Sequence, residues 1–213
     1  IGNETVMFRH EEKFRNPTGV GFIVDDNLSD REIIEHLKKI NQLKFERVGQ
    51  ELRVNLVAIK QNKDAQRYCQ VTKLLLDNTR LPIMLMSNDL VALKQAVLIS
   101  QERKPLLYAA QQDNFAQIGA LAKEFQLPLV VTAPDIDQLS QLSKELNGLG
   151  VKELILDTGI KPITDKIWDL TQIRRQALKK MNRTLGYPSL VIVHKTDPYE
   201  EAMEAVAYIA KYA

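Results

Sequence analysis

Short apolar runs alternate with longer segments of helical periodicity along most of this sequence. Each run is only a few residues long, which suits a buried strand, and each following segment repeats apolar residues at spacings of three and four. The predicted strands are Val20–Val24, Val54–Ile59, Pro82–Met86, Pro105–Ala109, Pro128–Thr132, Glu153–Leu156 and Ser189–Val193. Because these runs are apolar at nearly every position, they are typical of a parallel sheet covered on both faces.

Polar residues predict where the intervening helices begin and end. Ser29 and Glu32 have the spacing of a capping box, followed by an apolar helical face. A long helix is predicted from about Asp165 to Leu185, and Gly148 and Gly150 are candidate left-handed caps of the helix before it. The other predicted caps are Asp64, Asn88 or Asp89, Asp113, Asp135 and Asp197, the last of which precedes a proline.

Seven strand–helix units predict a TIM (βα)8-type barrel with parallel strands, in one domain over residues 1–213. A complete barrel of this type has eight strands, so the seven predicted strands leave one strand missing. It would lie beyond the C-terminus, or the N-terminal segment Thr5–Phe8 would supply it. A dinucleotide-binding fold is disfavoured because the turn Asp25-Asp26-Asn27 contains no glycine. The polar segment Arg9–Thr18 precedes the first unit and is predicted to be a loop at the bottom of the barrel.

Composition narrows the class of protein. There are 29 Lys and Arg against 27 Asp and Glu, a formal charge of +2, which argues against nucleic acid or an anionic membrane as the main partner. No apolar stretch is long enough to span a bilayer, so a cytoplasmic protein is expected. The single cysteine, Cys69, excludes an internal disulfide framework and a thiolate metal cluster built by this chain alone.

Functional residues of βα barrels come from the carboxyl ends of the strands. The candidate ligand-binding residues at those positions are Asp25, Asn88, Asn114, Asp157 and His194. Asn88 is better explained as a helix cap, whereas Asp25 and Asp157 directly end apolar strands. The three histidines lack the spacing of metal ligands, and no nucleophile elbow is present, so neither a metal site nor a catalytic residue is assigned.

Several segments resemble one known family along the whole chain. They are VMFRHEEKFRNP (Val6–Pro17), FERVGQEL (Phe45–Leu52), KPLLYAAQQDNF (Lys104–Phe115), FQLPLVVTAPD (Phe125–Asp135), LDTGI (Leu156–Ile160), IRRQAL (Ile173–Leu178) and LGYPSL (Leu185–Leu190). With these segments the chain resembles the large (gamma) subunit of the corrinoid iron–sulfur protein of the acetyl-CoA decarbonylase/synthase system. The first segment and the YAA…DN turn of the third are the most specific.

The resemblance implies that this chain is the central barrel of a larger multidomain subunit. In that family an N-terminal module holds a 4Fe-4S cluster and a C-terminal module binds the corrinoid (cobalamin), so neither cofactor is expected in this piece. The implied partners are a homologous small-subunit barrel, a methyltransferase, acetyl-CoA synthase and the protein's own corrinoid domain. No nucleic acid and no membrane are expected.

Two functions of different classes follow. The leading hypothesis is a scaffold barrel, itself non-catalytic, in a carrier that moves a methyl group from a methyl-tetrahydropterin to acetyl-CoA synthase. The alternative is an enzyme whose barrel binds a pterin and transfers a one-carbon unit, with Asp25, Asn88, Asn114 and Asp157 as possible pterin contacts. A free-standing barrel with an unknown substrate is a third possibility.

Overall fold

The computed structural model of the protein describes residues 18–211. The predicted strand Thr5–Phe8 and the segment Val6–Pro17 that resembles the family lie outside the described residues. The predicted loop Arg9–Thr18 also lies outside them, apart from Thr18 itself. Whether Thr5–Phe8 supplies a barrel strand therefore stays a prediction.

Strands and helices alternate as the apolar pattern predicts. The strands are β1 (Gly21–Asp25), β2 (Lys44–Arg47), β3 (Gln50–Arg53), β4 (Leu56–Lys60), β5 (Ile83–Met86), β6 (Leu106–Ala110), β7 (Leu129–Thr132) and β8 (Leu154–Asp157). The helices are α1 (Asp30–Gln42), α2 (Ala65–Asn78), α3 (Leu90–Ser100), α4 (Phe115–Phe125), α5 (Ile136–Leu149), α6 (Ile163–Lys179) and α7 (Pro198–Ile209). Short 3-10 turns cover Gln101–Arg103 and Arg183–Leu185.

Six of the strands form one sheet in the order β1-β4-β5-β6-β7-β8. The registered pairs are parallel, for example Val24 with Ile59 and Val131 with Leu156. This confirms the predicted α/β class and is consistent with a TIM-type barrel, since each sheet strand is joined to the next through a helix. The order does not return from β8 to β1 among the described strands, so they do not complete an eight-stranded ring.

The chain forms two compact units. The first unit comprises residues 19–109 and 120–128, and the second comprises residues 110–119 and 129–211 together with Thr18. In the first unit α2 packs against both α1 and α3, and all four residues of β5 are buried. In the second unit α5 packs against β7 and β8, and its Leu139, Leu142 and Leu146 are buried. Apolar burial in each unit supplies its main stabilisation.

Most of the predicted caps are confirmed. The Ser29 hydroxyl accepts from the Glu32 backbone N–H, and the Glu32 carboxylate accepts from Ser29, which completes the capping box. These hydrogen bonds lower the pKa of Glu32. Asp64, Asp135 and Asp197 also cap their helices. At α3 the cap is Asp89 and not Asn88, because the Asp89 carboxylate accepts from the N–H groups of Val91 and Ala92.

The predicted seventh strand, Ser189–Val193, is wrong as a strand. It makes a single parallel bridge, from Ser189 to Leu156, flanked by hydrogen bonds of Leu156 with Pro188 and Leu190. β8 ends one residue after Leu156, and the chain turns away at Gly159, whose φ of +73° suits glycine. Because β8 ends at Asp157, the hydrogen-bond ladder does not continue along residues 190–193, and these residues do not form a strand beside β8.

Two helix ends also differ from prediction. Helix α6 stops at Lys179, whereas Leu185 was expected, because Met181 adopts a positive φ of 52° and the chain continues as a 3-10 turn. Gly150 is the left-handed cap of α5, with φ 97°, but Gly148 lies inside that helix. No helix within residues 18–211 is both long and apolar enough to cross a membrane.

The β2–β3 hairpin was not predicted. Its antiparallel strands are joined at Val48 and Gly49, which have φ values of 50° and 72°. Two successive positive φ values are the signature of the tight hairpin turns that match strand twist. All eight strand residues are exposed, so the hairpin lacks the buried alternating face on which strand prediction depends.

Two helical glycines of the second unit make a matched pair for testing the packing. We expect Gly148→Ala to raise the free energy of unfolding by about 0.5–1 kcal/mol, because alanine favours a helix and nothing lies within 4 Å of the new Cβ. Gly119→Ala should lose that gain, because its Cβ would lie 2.7 Å from Cδ2 of the fully buried Leu146. Urea denaturation measures both. Equal stabilisation by both changes would contradict the packing of α4 on α5.

Candidate functional site

In the first unit, two carboxylates lie at the end of β1, where Asp25 is the last residue of the strand and Asp26 follows it. Asp26 is fully buried, and its carboxylate accepts from the backbone N–H of Asn62 at 2.8 Å and from that of Lys63 at 3.1 Å. The neighbouring Asp25 accepts from the Asn62 side-chain amide at 2.7 Å. The parallel pairing of β1 with β4 places these groups together, since both strands end at the same edge of the sheet. The chain's own donors therefore bind both carboxylates.

Arg67 of α2 holds the loop that follows these two residues. Its guanidinium donates to the carboxylate of Asp30 at 2.5 Å, to the carbonyl of Leu28 at 2.7 Å and to the carbonyl of Asp26 at 3.2 Å. The planar guanidinium group of arginine presents its N–H donors in fixed directions, which suits hydrogen bonding to three acceptors at once. The β1–α1 loop is thus fixed from the side of α2.

Tyr68, the next residue of α2, is completely buried. Its hydroxyl lies near the Met86 backbone but makes no hydrogen bond of normal geometry with the described residues. Burial raises the pKa of this phenol, so it stays neutral. This enclosed phenol contributes to the packing of the first unit.

The candidate Asn88 follows β5 and is exposed. The residues on either side of it are engaged: the Ser87 hydroxyl bonds to the Gln61 side chain and to the Asp89 carbonyl, and the Asp89 N–H donates to Ser87. This turn is built by hydrogen bonds that do not include the Asn88 side chain, which faces solvent.

In the second unit, β8 ends in a buried ion pair. Asp157 and Lys166 are each 3% exposed, and the Lys166 Nζ lies 2.7 Å from the Asp157 Oδ1. The same ammonium donates to the Gly159 carbonyl at 2.6 Å, and the Gly159 N–H donates to Asp157 at 3.0 Å. A buried charge is tolerated only when paired and hydrogen-bonded in this way.

Polar groups surround this ion pair. Lys161 and Asp169 form a second, partly exposed ion pair on the same loop and helix. Thr132 is the register partner of Asp157, and the hydroxyls of Thr132 and Thr158 are buried with no hydrogen-bond partner among the described residues. We call Thr132, Asp157, Thr158, Gly159 and Lys166 the β8-end cluster. It has no accessible nucleophile or base, because its one carboxylate and one amine neutralise each other.

The remaining two predicted candidates are Asn114 and His194. The Asn114 side chain accepts from the Gln111 backbone N–H at 2.7 Å and so shapes the turn before α4. His194 is exposed in the segment that precedes α7. The structure thus engages Asp25, Asn114 and Asp157 in bonds within the chain and leaves Asn88 and His194 open to solvent.

Sequence reasoning missed Lys166. Lys166, Leu170 and Ile173 are spaced four and three apart and are all buried on one face of α6. A lysine on the apolar face of a helix needs a buried partner, and Asp157 is a carboxylate that directly ends the preceding apolar strand. A lysine on the apolar face of a predicted helix, together with a carboxylate at the end of the preceding strand, is a sequence signal that could have identified the Asp157–Lys166 ion pair.

A shallow groove of about 470 Å³ lies on the β2–β3 hairpin. Its lining residues are Lys44, Phe45, Glu46, Gly49 and Glu51, and none of the strand-end candidates contributes to it. Within residues 18–211, no three His, Cys, Asp or Glu side chains are arranged to hold a metal ion.

Comparison with known proteins decides the family. The family described as CO dehydrogenase/acetyl-CoA synthase delta subunit matches residues 1–213. The chain belongs to this family. It is 38% identical to the corrinoid/iron-sulfur protein large subunit of Moorella thermoacetica, over the whole chain and 48% of that relative. It is 34% identical to acetyl-CoA decarbonylase/synthase complex subunit gamma 2 of Methanosarcina mazei, over 90% of the chain and 42% of that relative.

These relatives confirm the resemblance to the large, or gamma, subunit that the sequence segments indicated. A third, the gamma subunit of Methanothermobacter thermautotrophicus, is 29% identical over the whole chain and 49% of its own length. The chain therefore spans about half the length of the curated relatives it matches.

The residues of this chain do not fit an iron–sulfur cluster. Such clusters are held by four cysteine thiolates, and the sequence contains only Cys69. Cys69 is half-buried on α2, its thiol lies 3.6 Å from the Gln95 side-chain oxygen, and burial raises the pKa of the thiol. A protonated, single thiol is a poor ligand and a poor nucleophile.

The β8-end cluster predicts a strong dependence of stability on its ion pair. We expect Lys166→Met to lower the free energy of unfolding by about 3–5 kcal/mol, because it leaves the Asp157 carboxylate buried without its cation. The double variant Asp157→Leu with Lys166→Met should recover most of that loss. Chemical denaturation of the three proteins measures this.

The exposed pair Arg31–Glu35, 3.0 Å apart with side chains 89% and 52% exposed, provides the control. Glu35→Ala should cost less than about 0.5 kcal/mol. A Lys166→Met loss as small as that of the control would show that the Asp157–Lys166 pair is not buried as described.

Proposed function

We propose that this chain is the scaffold barrel of a corrinoid/iron–sulfur methyl carrier. The carrier would accept a methyl group from a methyl-tetrahydropterin through a methyltransferase and deliver it to acetyl-CoA synthase. The relatives' names supply the class of protein, and the finer role of this segment is our proposal. The corrinoid and the 4Fe-4S cluster would be held by parts of the longer protein outside these residues.

One observation carries the scaffold role. The buried carboxylates at the strand ends, Asp26 and Asp157, are both bound by donors of the chain itself. A catalytic or pterin-binding carboxylate has to offer free acceptor sites to its substrate. Carboxylates whose acceptor sites are occupied by hydrogen bonds within the chain serve instead to stiffen the strand ends.

A stiff body suits a methyl carrier. The reactive cofactor has to be shielded and then presented in turn to a methyl donor and a methyl acceptor, so its domain needs a fixed surface to move against. The partners that this role implies are a homologous small-subunit barrel, the methyltransferase, acetyl-CoA synthase and the protein's own corrinoid domain. A cytoplasmic location stays a prediction.

The structure also determines which variants can test the role. Asp157→Ala would leave the Lys166 ammonium buried without its carboxylate and lower stability, so a loss of activity could not be assigned to pterin binding. Asp25 and Asn88 are better choices because both are solvent-accessible. Asp25→Asn keeps a side-chain oxygen for its contact with Asn62.

We expect Asp25→Asn and Asn88→Ala, made in the full-length protein, to change methyl transfer from methyl-tetrahydropterin to acetyl-CoA synthase by less than about twofold. A pterin contact through a charged hydrogen bond contributes about 1.5–3 kcal/mol, so its loss would slow transfer about 10-fold to 100-fold. Thermal unfolding of each variant serves as the folding control. A 10-fold loss with an unchanged unfolding midpoint would favour the pterin-binding alternative.

A further inference from the structure

The second half of α6 and the residues after it are basic, with no acidic residue among them. Residues 170–196 contain six Lys and Arg and no Asp or Glu, whereas the rest of the chain has 23 Lys and Arg against 27 Asp and Glu. The six are Arg174, Arg175, Lys179, Lys180, Arg183 and Lys195. Cations in the last turn of a helix interact favourably with its dipole, but that effect falls off within one turn and does not account for the whole run.

The solvent-facing side of α6 combines this charge with an aromatic side chain. The residues along it are Trp168, Gln172, Arg175 and Lys179. Because they are spaced four, three and four apart, they form one stripe on the helix. The buried residues Leu170 and Ile173 lie on the opposite side. Trp168 is 64% exposed, and Arg175 and Lys179 are also exposed. The stripe therefore points away from the core of the second unit.

The exposed cations of this region have no carboxylate partner in the described part of the chain. We call Trp168, Arg175, Lys179, Lys180 and Arg183, all of them exposed, the α6 basic surface. The ion pairs described in the second unit join Lys161, Lys166 and Lys195 to carboxylates, and none of them involves the four cations of this surface. Four unpaired positive charges beside one another repel, so a negatively charged partner would stabilise them.

The acidic residues that follow in sequence are already engaged at the start of α7. The Asp197 carboxylate accepts from the Tyr199 N–H at 2.7 Å, and the Glu201 carboxylate accepts from the Lys195 N–H at 3.2 Å. The Glu204 carboxylate lies 2.9 Å from the Lys195 ammonium. This acidic run is occupied within its own unit, which favours a different protein over a second copy of this chain as the partner.

We propose that the α6 basic surface docks an acidic surface of a separate protein subunit. The unpaired cations require Asp and Glu side chains on the partner, since complementary potentials set orientation and exclude wrong partners. Tryptophan and arginine are the residues that most often dominate the binding energy of protein interfaces, and Trp168 and Arg175 lie two turns apart on one stripe. A nucleic acid is disfavoured, because one exposed tryptophan is not a series of aromatic rings for stacking bases and the whole chain has a formal charge of only +2.

A charged surface of this kind suits a partner that binds and leaves. Obligate interfaces are the more hydrophobic ones, whereas electrostatic attraction mainly accelerates association and loses strength with added salt. A methyl carrier has to meet a donor and an acceptor in turn, so rapid, reversible docking fits that role. The choice of candidate partners, namely the small subunit, the methyltransferase and acetyl-CoA synthase, rests on the proposed function, whereas the acidic character of the partner surface rests on the charges of α6.

Carbodiimide cross-linking tests the contact in the full-length protein mixed with each of these three proteins. The reagent joins a lysine amine to a carboxylate that touches it, so it reports a basic surface seated on an acidic one. We expect Lys179 or Lys180 to be linked to Asp or Glu of one of the three proteins, at least tenfold more often than Lys73 and Lys94. The latter are exposed lysines on α2 and α3 and serve as the reference. Peptide mass spectrometry identifies the linked residues.

Two charge-reversed double variants of the full-length protein test the energetics. Arg175→Glu with Lys179→Glu should weaken binding of the cross-linked partner at least tenfold at about 0.1 M salt, where charges within about 10 Å still interact. Lys73→Glu with Lys94→Glu changes the net charge equally and should alter the affinity less than twofold. Titration calorimetry measures the affinities, and thermal unfolding shows whether each variant is folded.

Four outcomes would overturn the proposal. Links from Lys179 and Lys180 only to carboxylates of the same polypeptide would assign the surface to another domain or a second copy. Equal weakening by both double variants would reduce it to net charge. Binding of a short DNA duplex that is lost in the α6 variant, with protein binding unchanged, would assign it to nucleic acid. Unchanged binding of all three proteins to the α6 variant would refute this docking alone, whereas no binding of any of them to the unmodified protein would refute the proposed function as well.

Discussion

Carboxylates buried at the ends of parallel strands impose the main constraint on this structure. Within each unit, parallel pairing brings strand ends to one edge of the sheet, and the sequence places Asp26 in the first unit and Asp157 in the second at such ends without access to water. A buried carboxylate is tolerable only with a full set of donors. Two backbone N–H groups serve Asp26, and a lysine ammonium with a glycine N–H serves Asp157. The β4–α2 and β8–α6 turns have the conformations that deliver those donors.

The same constraint separates a scaffold from an enzyme. In barrel enzymes the strand ends keep polar groups free for substrate. Here the carboxylates hold loops to strands, and Arg67 adds three bonds from α2 to the loop after β1.

Local rules predicted much of the fold, and the failures have physical causes. Strand β5 and the caps at Ser29, Asp64 and Asp135 depend on neighbours within a few residues, so the sequence pattern alone identifies them. Ser189–Val193 failed because a strand needs a neighbour of sufficient length, and β8 ends at Asp157. Lys166 was missed because its partner lies nine positions away on another element. Asp25 and Asp157 were correctly placed at the ends of strands, whereas His194 was not, because the strand predicted before it does not form. The bonding partners of Asp25 and Asp157 depend on loop conformation that periodicity does not encode.

Equilibrium dialysis of a methyl-tetrahydropterin against the purified full-length protein tests the central claim most directly. The scaffold account predicts no saturable binding up to about 1 mM, a range in which a specific site would already gain about 4 kcal/mol. Saturable binding with a micromolar Kd that Asp25→Asn weakens at least tenfold, without loss of stability, would contradict it.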